Sequence, residues 1–152
     1  PPMPQSLFCN FVHIVFSTKS RQPFLTPEVR PRMHAYMAGI LRNLKCFSVI
    51  VGGTEDHVHI GCNLTKFRAP VEVLETVKKD SSKWVKTLSP TVETFQWQRG
   101  YGLFSISPSK FEAVRQYIAN QDEHHRNLTF QEEFRALLQR YNVEFDERYV
   151  WD

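Results

Sequence analysis

The sequence predicts an α+β fold: an antiparallel sheet of four or five strands with helices on one face. Three observations predict it. Short apolar segments alternate with longer ones whose apolar residues recur three and four apart. Gly52-Gly53 and the polar residues after it join two of the short segments by a tight antiparallel connection. A chain of 152 residues, 41% of them hydrophobic, suits one domain with an ordinary core that needs no disulfide or structural metal.

Leu7 to Ser17 reads as the first strand. Val12, Ile14 and Phe16 fall on one side and Phe11, His13 and Val15 on the other, so both faces are covered. Thr26-Pro27-Glu28 reads as a helix start, and Met33, Tyr36, Met37, Ile40, Leu41 and Leu44 follow at helical spacing. Cys46 to Val51 and Thr54 to Asn63 give the second and third strands. Pro70 to Leu88 is a second helix with Val71, Leu74, Val77, Ser81, Trp84, Val85 and Leu88 inward. Phe95–Gln98 and Gly102–Ile106 read as short late strands. A third helix is expected over about Phe111 to His124, and a fourth after Thr129, where Thr129 and Glu132 have capping-box spacing. On that fourth helix Phe130, Phe134, Leu137, Leu138 and Tyr141 share one face. The tail, Val143 to Asp152, is acidic, aromatic and expected to be extended. The first six elements follow the β-α-β-β-α-β order of ferredoxin-like and RRM-like domains.

The net charge of +3 is uneven. Residues 1–110 carry 14 Lys/Arg against 7 Asp/Glu, and residues 111–152 carry 5 against 9. A basic body suggests a polyanionic partner. Three cysteines without metal-ligand spacing exclude a disulfide scaffold and a zinc ribbon. No apolar run approaches the roughly 18 residues of a membrane span, and no basic-then-apolar leader is seen. These features give the expectation of a cytoplasmic protein with no membrane partner.

The chemistry concentrates in Glu55-Asp56-His57-Val58-His59. Side chains two apart on a strand point the same way, so His57 and His59 share a face and can hold one cation between them. Asp56 or Glu55 could orient an imidazole. A bare His-x-His pair is more often two solvated histidines, so a third ligand matters. Tyr117 and Gln121, four apart, lie on one face of the third helix. His124 and His125 are also within reach, and sequence does not choose among Gln121, His124 and His125.

These residues resemble the HUH superfamily of single-strand DNA nucleases, and within it the single-tyrosine transposases of small bacterial insertion sequences, the IS-two-hundred group. The resemblance runs from His13-Ile14-Val15-Phe16-Ser17-Thr18-Lys19 through Gly52 to His59 and Trp97 to Ser107, and ends in Tyr117 to His125. It implies a DNA transposase whose domain spans residues 1–152, with a nucleophile-bearing C-terminal helix and with residues 126–152 as a further helix and tail. It implies Tyr117 as nucleophile, His57, His59 and Gln121 as ligands of Mg²⁺ or Mn²⁺, and a 5′-phosphotyrosine intermediate with a free 3′-hydroxyl. It also implies a homodimer, a substrate of single-stranded DNA with hairpin ends, and no nucleotide cofactor. Lys19, Arg21, Lys78, Lys79, Lys83, Arg99 and Tyr101 are candidate DNA contacts, through phosphate neutralisation and base stacking; for each lysine a solvated helix face is an equal alternative. Two other readings stand beside this one. A non-catalytic single-strand-binding module could use the same fold, although the aromatic motif of an RRM is not evident. A domesticated relative could process hairpins without moving an element.

Overall fold

The computed structural model describes residues 4–121 and 128–152. Four strands, β1 (Phe11–Ser17), β2 (Phe47–Gly53), β3 (His57–Asn63) and β4 (Gly102–Ser105), form one antiparallel sheet in the order β2-β3-β1-β4. Helices α1 (Arg30–Asn43) and α2 (Pro70–Val85) make the two crossovers. The order β1-α1-β2-β3-α2-β4 is the expected ferredoxin-like pattern.

Alternation along the central strands divides the molecule. Val12, Ile14 and Phe16 of β1 and Val58, Ile60 and Cys62 of β3 enter the main core, with Met33, Met37 and Leu41 of α1 and Val73, Val77 and Val85 of α2. The intervening residues, including His13, Val15, His57 and His59, belong to the opposite face. That face is not left to solvent. Helices α3 (Phe111–Ala119) and α4 (Phe130–Arg140) are built over it, and a second cluster of Val15, Phe104, Phe130, Phe134, Leu137 and Leu138 closes it. The two late helices therefore lie across the sheet from the first two. α4 starts with the expected capping box: Thr129 Oγ1 accepts from the Glu132 amide, and Glu132 reaches back to the Thr129 amide.

Three local expectations are corrected. Phe95–Gln98 is not a strand: only Trp97 bridges, to Thr18. Two backbone hydrogen bonds, from the Lys19 amide to the Gln96 carbonyl and from the Gln98 amide to the Ser17 carbonyl, hold it beside the end of β1, and the carbonyls of Gln98, Arg99 and Gly100 then accept from Lys78 Nζ at 2.9, 3.1 and 2.7 Å. α1 begins at Arg30, after a turn over 27–29. Pro31 has no amide to donate back to the Pro27 carbonyl, which interrupts the ladder there. The tail is not extended. Amides of Tyr149 and Val150 donate to the Asp146 carbonyl, and Trp151 packs near Phe130 and Phe134. Among the described residues no helix is long and apolar enough to cross a membrane.

Candidate active site

Two glycines set the geometry. Gly53 ends β2 at φ +151°, where any side chain would meet the His57 carbonyl, so the hairpin into β3 turns tightly. A Cβ on Gly52 would run into the backbone carbonyl of Ile118. Its absence lets α3 lie directly on the sheet, which brings Tyr117, the neighbour of Ile118, over the β3 histidines.

His57 and His59 are fully buried. Each has its Nδ1 side engaged by another side chain. His57 Nδ1 lies 2.7 Å from Asp56 Oδ1 and 3.0 Å from Thr54 Oγ1. His59 Nδ1 lies 2.7 Å from Nε2 of His13, itself buried, with the two rings stacked at 5.0 Å. Both Nε2 atoms then converge on one point. His59 Nε2 is 2.8 Å and His57 Nε2 3.5 Å from Oε1 of Glu133 on α4, and Gln121 Oε1 is 3.3 Å from His57 Nε2. The second oxygen of Glu133, Oε2, accepts a hydrogen bond from the Tyr117 hydroxyl. Tyr117, His57, His59 and Gln121 are thus gathered in one place, while His124 and His125 lie outside the described residues.

The local electrostatics follow from burial beside carboxylates. Burial alone would lower the pKa of His57, but the hydrogen bonds and charges of Asp56 and Glu133 outweigh it and raise the ring to about 9. Burial, helped by the neighbouring His59, takes His13 down to about 3 against the pull of Glu133, so His13 is neutral. Tyr117 is pushed well above its ordinary value, first by burial and then by its hydrogen bond to Glu133 and that carboxylate's charge; Gln121 and Arg140 oppose the shift.

Ligand atoms of His57, His59 and Glu133 lie within 4.8 Å of one another, and all three residues are buried. Two imidazoles with their Nδ1 sides held, one carboxylate and no thiolate make a set that can hold a metal ion. Glu133 and His13 are the residues that sequence reasoning missed. Glu133 had a signal, a carboxylate within the apolar stripe of Phe130, Phe134 and Leu137. His13 had one too, since it shares a face with His57 and His59 if β1 and β3 are neighbours.

A cleft of about 710 Å³ opens beside Tyr117, lined by Lys110, Val114, Glu133, Arg140 and Tyr141 among others. Of the candidate DNA contacts, Lys19, Lys79, Lys83 and Arg99 are exposed. Arg21 Nη1 donates to the Trp151 carbonyl at 3.0 Å, and Lys19, Arg21 and Arg99 line a second cleft of about 370 Å³. Lys78 differs from its neighbours on α2. It is partly buried against Phe16 and Tyr101, and burial lowers its pKa to about 8.

A four-stranded sheet carrying a buried His-x-His pair beneath a helical tyrosine has the make-up of an HUH-type tyrosine transposase. The sequence matches the family described as "Transposase IS200 like" over residues 8–121, and the chain belongs to that family. No curated protein matches it significantly. Solved structures share the fold, among them two described as transposases. One is assigned as a transposase from Deinococcus radiodurans R1, with 19% identity and a TM-score of 0.61 over 80% of this chain and 97% of the other. The second is a REP-associated tyrosine transposase bound to a REP hairpin, with 11% identity and a TM-score of 0.55 over 83% of this chain and 74% of the other.

Proposed function

We propose that this transposase cleaves and rejoins single-stranded DNA at hairpin-bearing ends, with Tyr117 as nucleophile and His57, His59 and Glu133 as the ligands of Mg²⁺ or Mn²⁺. The observation that carries the reading is the double engagement of Glu133. One oxygen accepts from the Tyr117 hydroxyl, and the other faces the two histidines. Gln121 Oε1 faces the same point and supplies a further oxygen donor. Nitrogen and oxygen donors without a thiolate favour a hard or borderline divalent ion. Such an ion, when bound, acts as a Lewis acid on the non-bridging oxygens of the scissile phosphate.

The chain's own residues do the rest. A phenol near its usual pKa of about 10 is mostly protonated at neutral pH and needs a base in contact with it. Glu133 Oε2 is that base. As the Tyr117 oxygen forms its bond to phosphorus, the phenolic proton passes to Glu133 and the bond from phosphorus to the 3′ oxygen breaks. The 3′ oxygen takes up a proton from water. The resulting 5′-phosphotyrosine is still a phosphodiester, so a 3′-hydroxyl can reverse the step without a nucleotide cofactor. The cleft beside Tyr117 receives the strand, with Lys110 and Arg140 near phosphates and Tyr141 near a base. The hairpin bound by the REP-associated neighbour supports a hairpin substrate, and the candidate contacts for it are Lys19, Arg21, Lys79, Lys83, Arg99 and Tyr101. Because α4 supplies Glu133, this reading places residues 128–152 in the same catalytic domain. Among the described residues Tyr117, His57, His59, Gln121 and Glu133 meet within one chain, and a homodimer would hold two DNA ends together.

Incubation with Mn²⁺ and hairpin-bearing single-stranded DNA, followed by a denaturing gel, tests the proposal. Wild type gives a covalent protein–DNA adduct and Tyr117→Phe gives none. An adduct retained by Tyr117→Phe moves the nucleophile elsewhere. Binding without any adduct leaves a non-catalytic module.

A further inference from the structure

We infer that His13 is a positioning residue for His59: its Nε2 accepts the Nδ1–H of His59, which leaves the Nε2 lone pair of His59 directed at the cation. The inference rests on the reading of His57, His59 and Glu133 as metal ligands. A neutral imidazole has one N–H, and the partner of one ring nitrogen decides which nitrogen carries it. For His57 that partner is Asp56, at 2.7 Å from Nδ1. For His59 it is His13, also at 2.7 Å, on the neighbouring strand.

The sheet register creates the contact. β1 and β3 pair with Val15 opposite His59 and His13 opposite Gly61, so His13 is the diagonal neighbour of His59 on the same face. Gly61 presents no side chain across from His13, and the His13 ring stacks on His59 with planes 27° apart. The chemistry of position 13 also suits the charge of the site. Asp56 and Glu133 bring two negative charges, equal to those of a divalent ion. A carboxylate at position 13 would add a third in a buried place, whereas an imidazole orients His59 without adding charge. An imidazole can also donate through the same nitrogen when it carries the hydrogen. It can therefore serve His59 both when the His59 Nε2 hydrogen points to Glu133 and when that nitrogen is a ligand.

The test compares His13→Phe, which fills the space with a ring that cannot accept, with His13→Gln, whose carbonyl oxygen can. Mn²⁺ affinity is measured by titration of the purified full chain without DNA, and folding by thermal melting. His13→Phe should bind Mn²⁺ about 10- to 100-fold more weakly, the usual cost of losing an outer partner of a metal-bound histidine, and His13→Gln should stay within a few-fold of wild type. Equal affinity of His13→Phe and wild type overturns the inference, as does an equal loss in both variants. Ring nitrogen NMR of the Mg²⁺-saturated wild type gives a readout that does not depend on any variant folding. His59 should carry its hydrogen on Nδ1, and a hydrogen-free Nδ1 overturns the assignment. Wild type that forms the Tyr117 adduct yet binds no Mn²⁺ overturns the metal reading itself, a result distinct from a defect confined to His13→Phe.

Discussion

Tyr117 and Glu133 lie on different helices, yet the phenol of one donates to the carboxylate of the other. α3 is anchored to the sheet through Gly52, and α4 through its apolar stripe on Phe104 and Val15. The contact has two consequences that pull in opposite directions. Burial and the negative carboxylate keep the phenol protonated. The same geometry sets beside the phenol a group that can take its proton during attack.

Glu133→Gln keeps the shape and removes the charge, and with it both the base and the proposed carboxylate ligand. Adduct formation at saturating Mn²⁺ should fall by at least about 10²-fold, the lower bound for loss of a general base, with a weaker Mn²⁺ affinity beside it, while hairpin binding measured by fluorescence anisotropy stays near wild type. The absorbance titration of Tyr117, identified by difference from Tyr117→Phe, should move down toward the ordinary phenol value, since one of its raising causes is gone. A titration that does not move would mean the two side chains do not meet in solution.

Metal-free protein should lose stability as pH rises from about 6.5 to about 9. The folded-state pKa of His57 is raised to about 9, from 6.5, by Asp56 and Glu133 acting against burial. A raised pKa means that the folded chain holds the proton more tightly than the unfolded chain, so its stabilisation is complete below 6.5 and is lost as pH climbs through 9. Mn²⁺ competes with that proton, so its affinity should increase across the same interval. Melting temperatures of wild type and His57→Gln, measured with chelator, check the sign: the slope over this window should flatten in the variant. His13, with its lowered pKa, acts in the separate window below 6.5.

The lysines of α2 should divide by role. Lys78 holds three backbone carbonyls of the loop before β4. Lys78→Ala should cost about 1.5–3 kcal/mol, as for loss of charged hydrogen bonds at a partly buried place, read by denaturant melts. Lys79→Ala and Lys83→Ala, both at exposed positions, should leave stability within about 0.5 kcal/mol. If either touches a phosphate, the slope of log affinity against log salt should drop by about one.

Much of this site could be read from the chain because its determinants are local. His57 and His59 are two apart on one strand, Tyr117 and Gln121 four apart on one helix, and each spacing fixes a shared face. Glu133 and His13 depend on pairings between distant segments. A carboxylate within an apolar helix stripe is conspicuous, but only the packing of α4 over β3 says what it meets. His13 looks like one more alternation residue until the register sets it diagonal to His59. The misread strand at Phe95–Gln98 has the same origin. Its aromatic residues do enter the core, with Phe95 and Trp97 buried, but its pairing with the end of β1 stops after a single bridge, and the carbonyls from Gln98 to Gly100 turn to the ammonium group of Lys78.

Gly52 offers a test of position apart from chemistry. A methyl group there meets the Ile118 carbonyl and side chain, so Gly52→Ala must push α3 off the sheet or bend it. The proposed ligands on β3 and α4 are untouched and only the further donor Gln121 moves with α3, so Mn²⁺ affinity should fall far less than cleavage. Tyr117 moves with α3, and a displacement of about 1 Å at a reacting atom can cost about 10²-fold in rate. Cleavage should therefore drop by that order while metal binding persists. Gly39→Ala is the matched control, since a Cβ at Gly39 has no atom within 4 Å and the position lies inside α1. There the same methyl group should leave cleavage unchanged and raise stability by about 0.4–1 kcal/mol. Equal activity of the two variants would show that α3 reaches the histidines without the close approach that Gly52 permits.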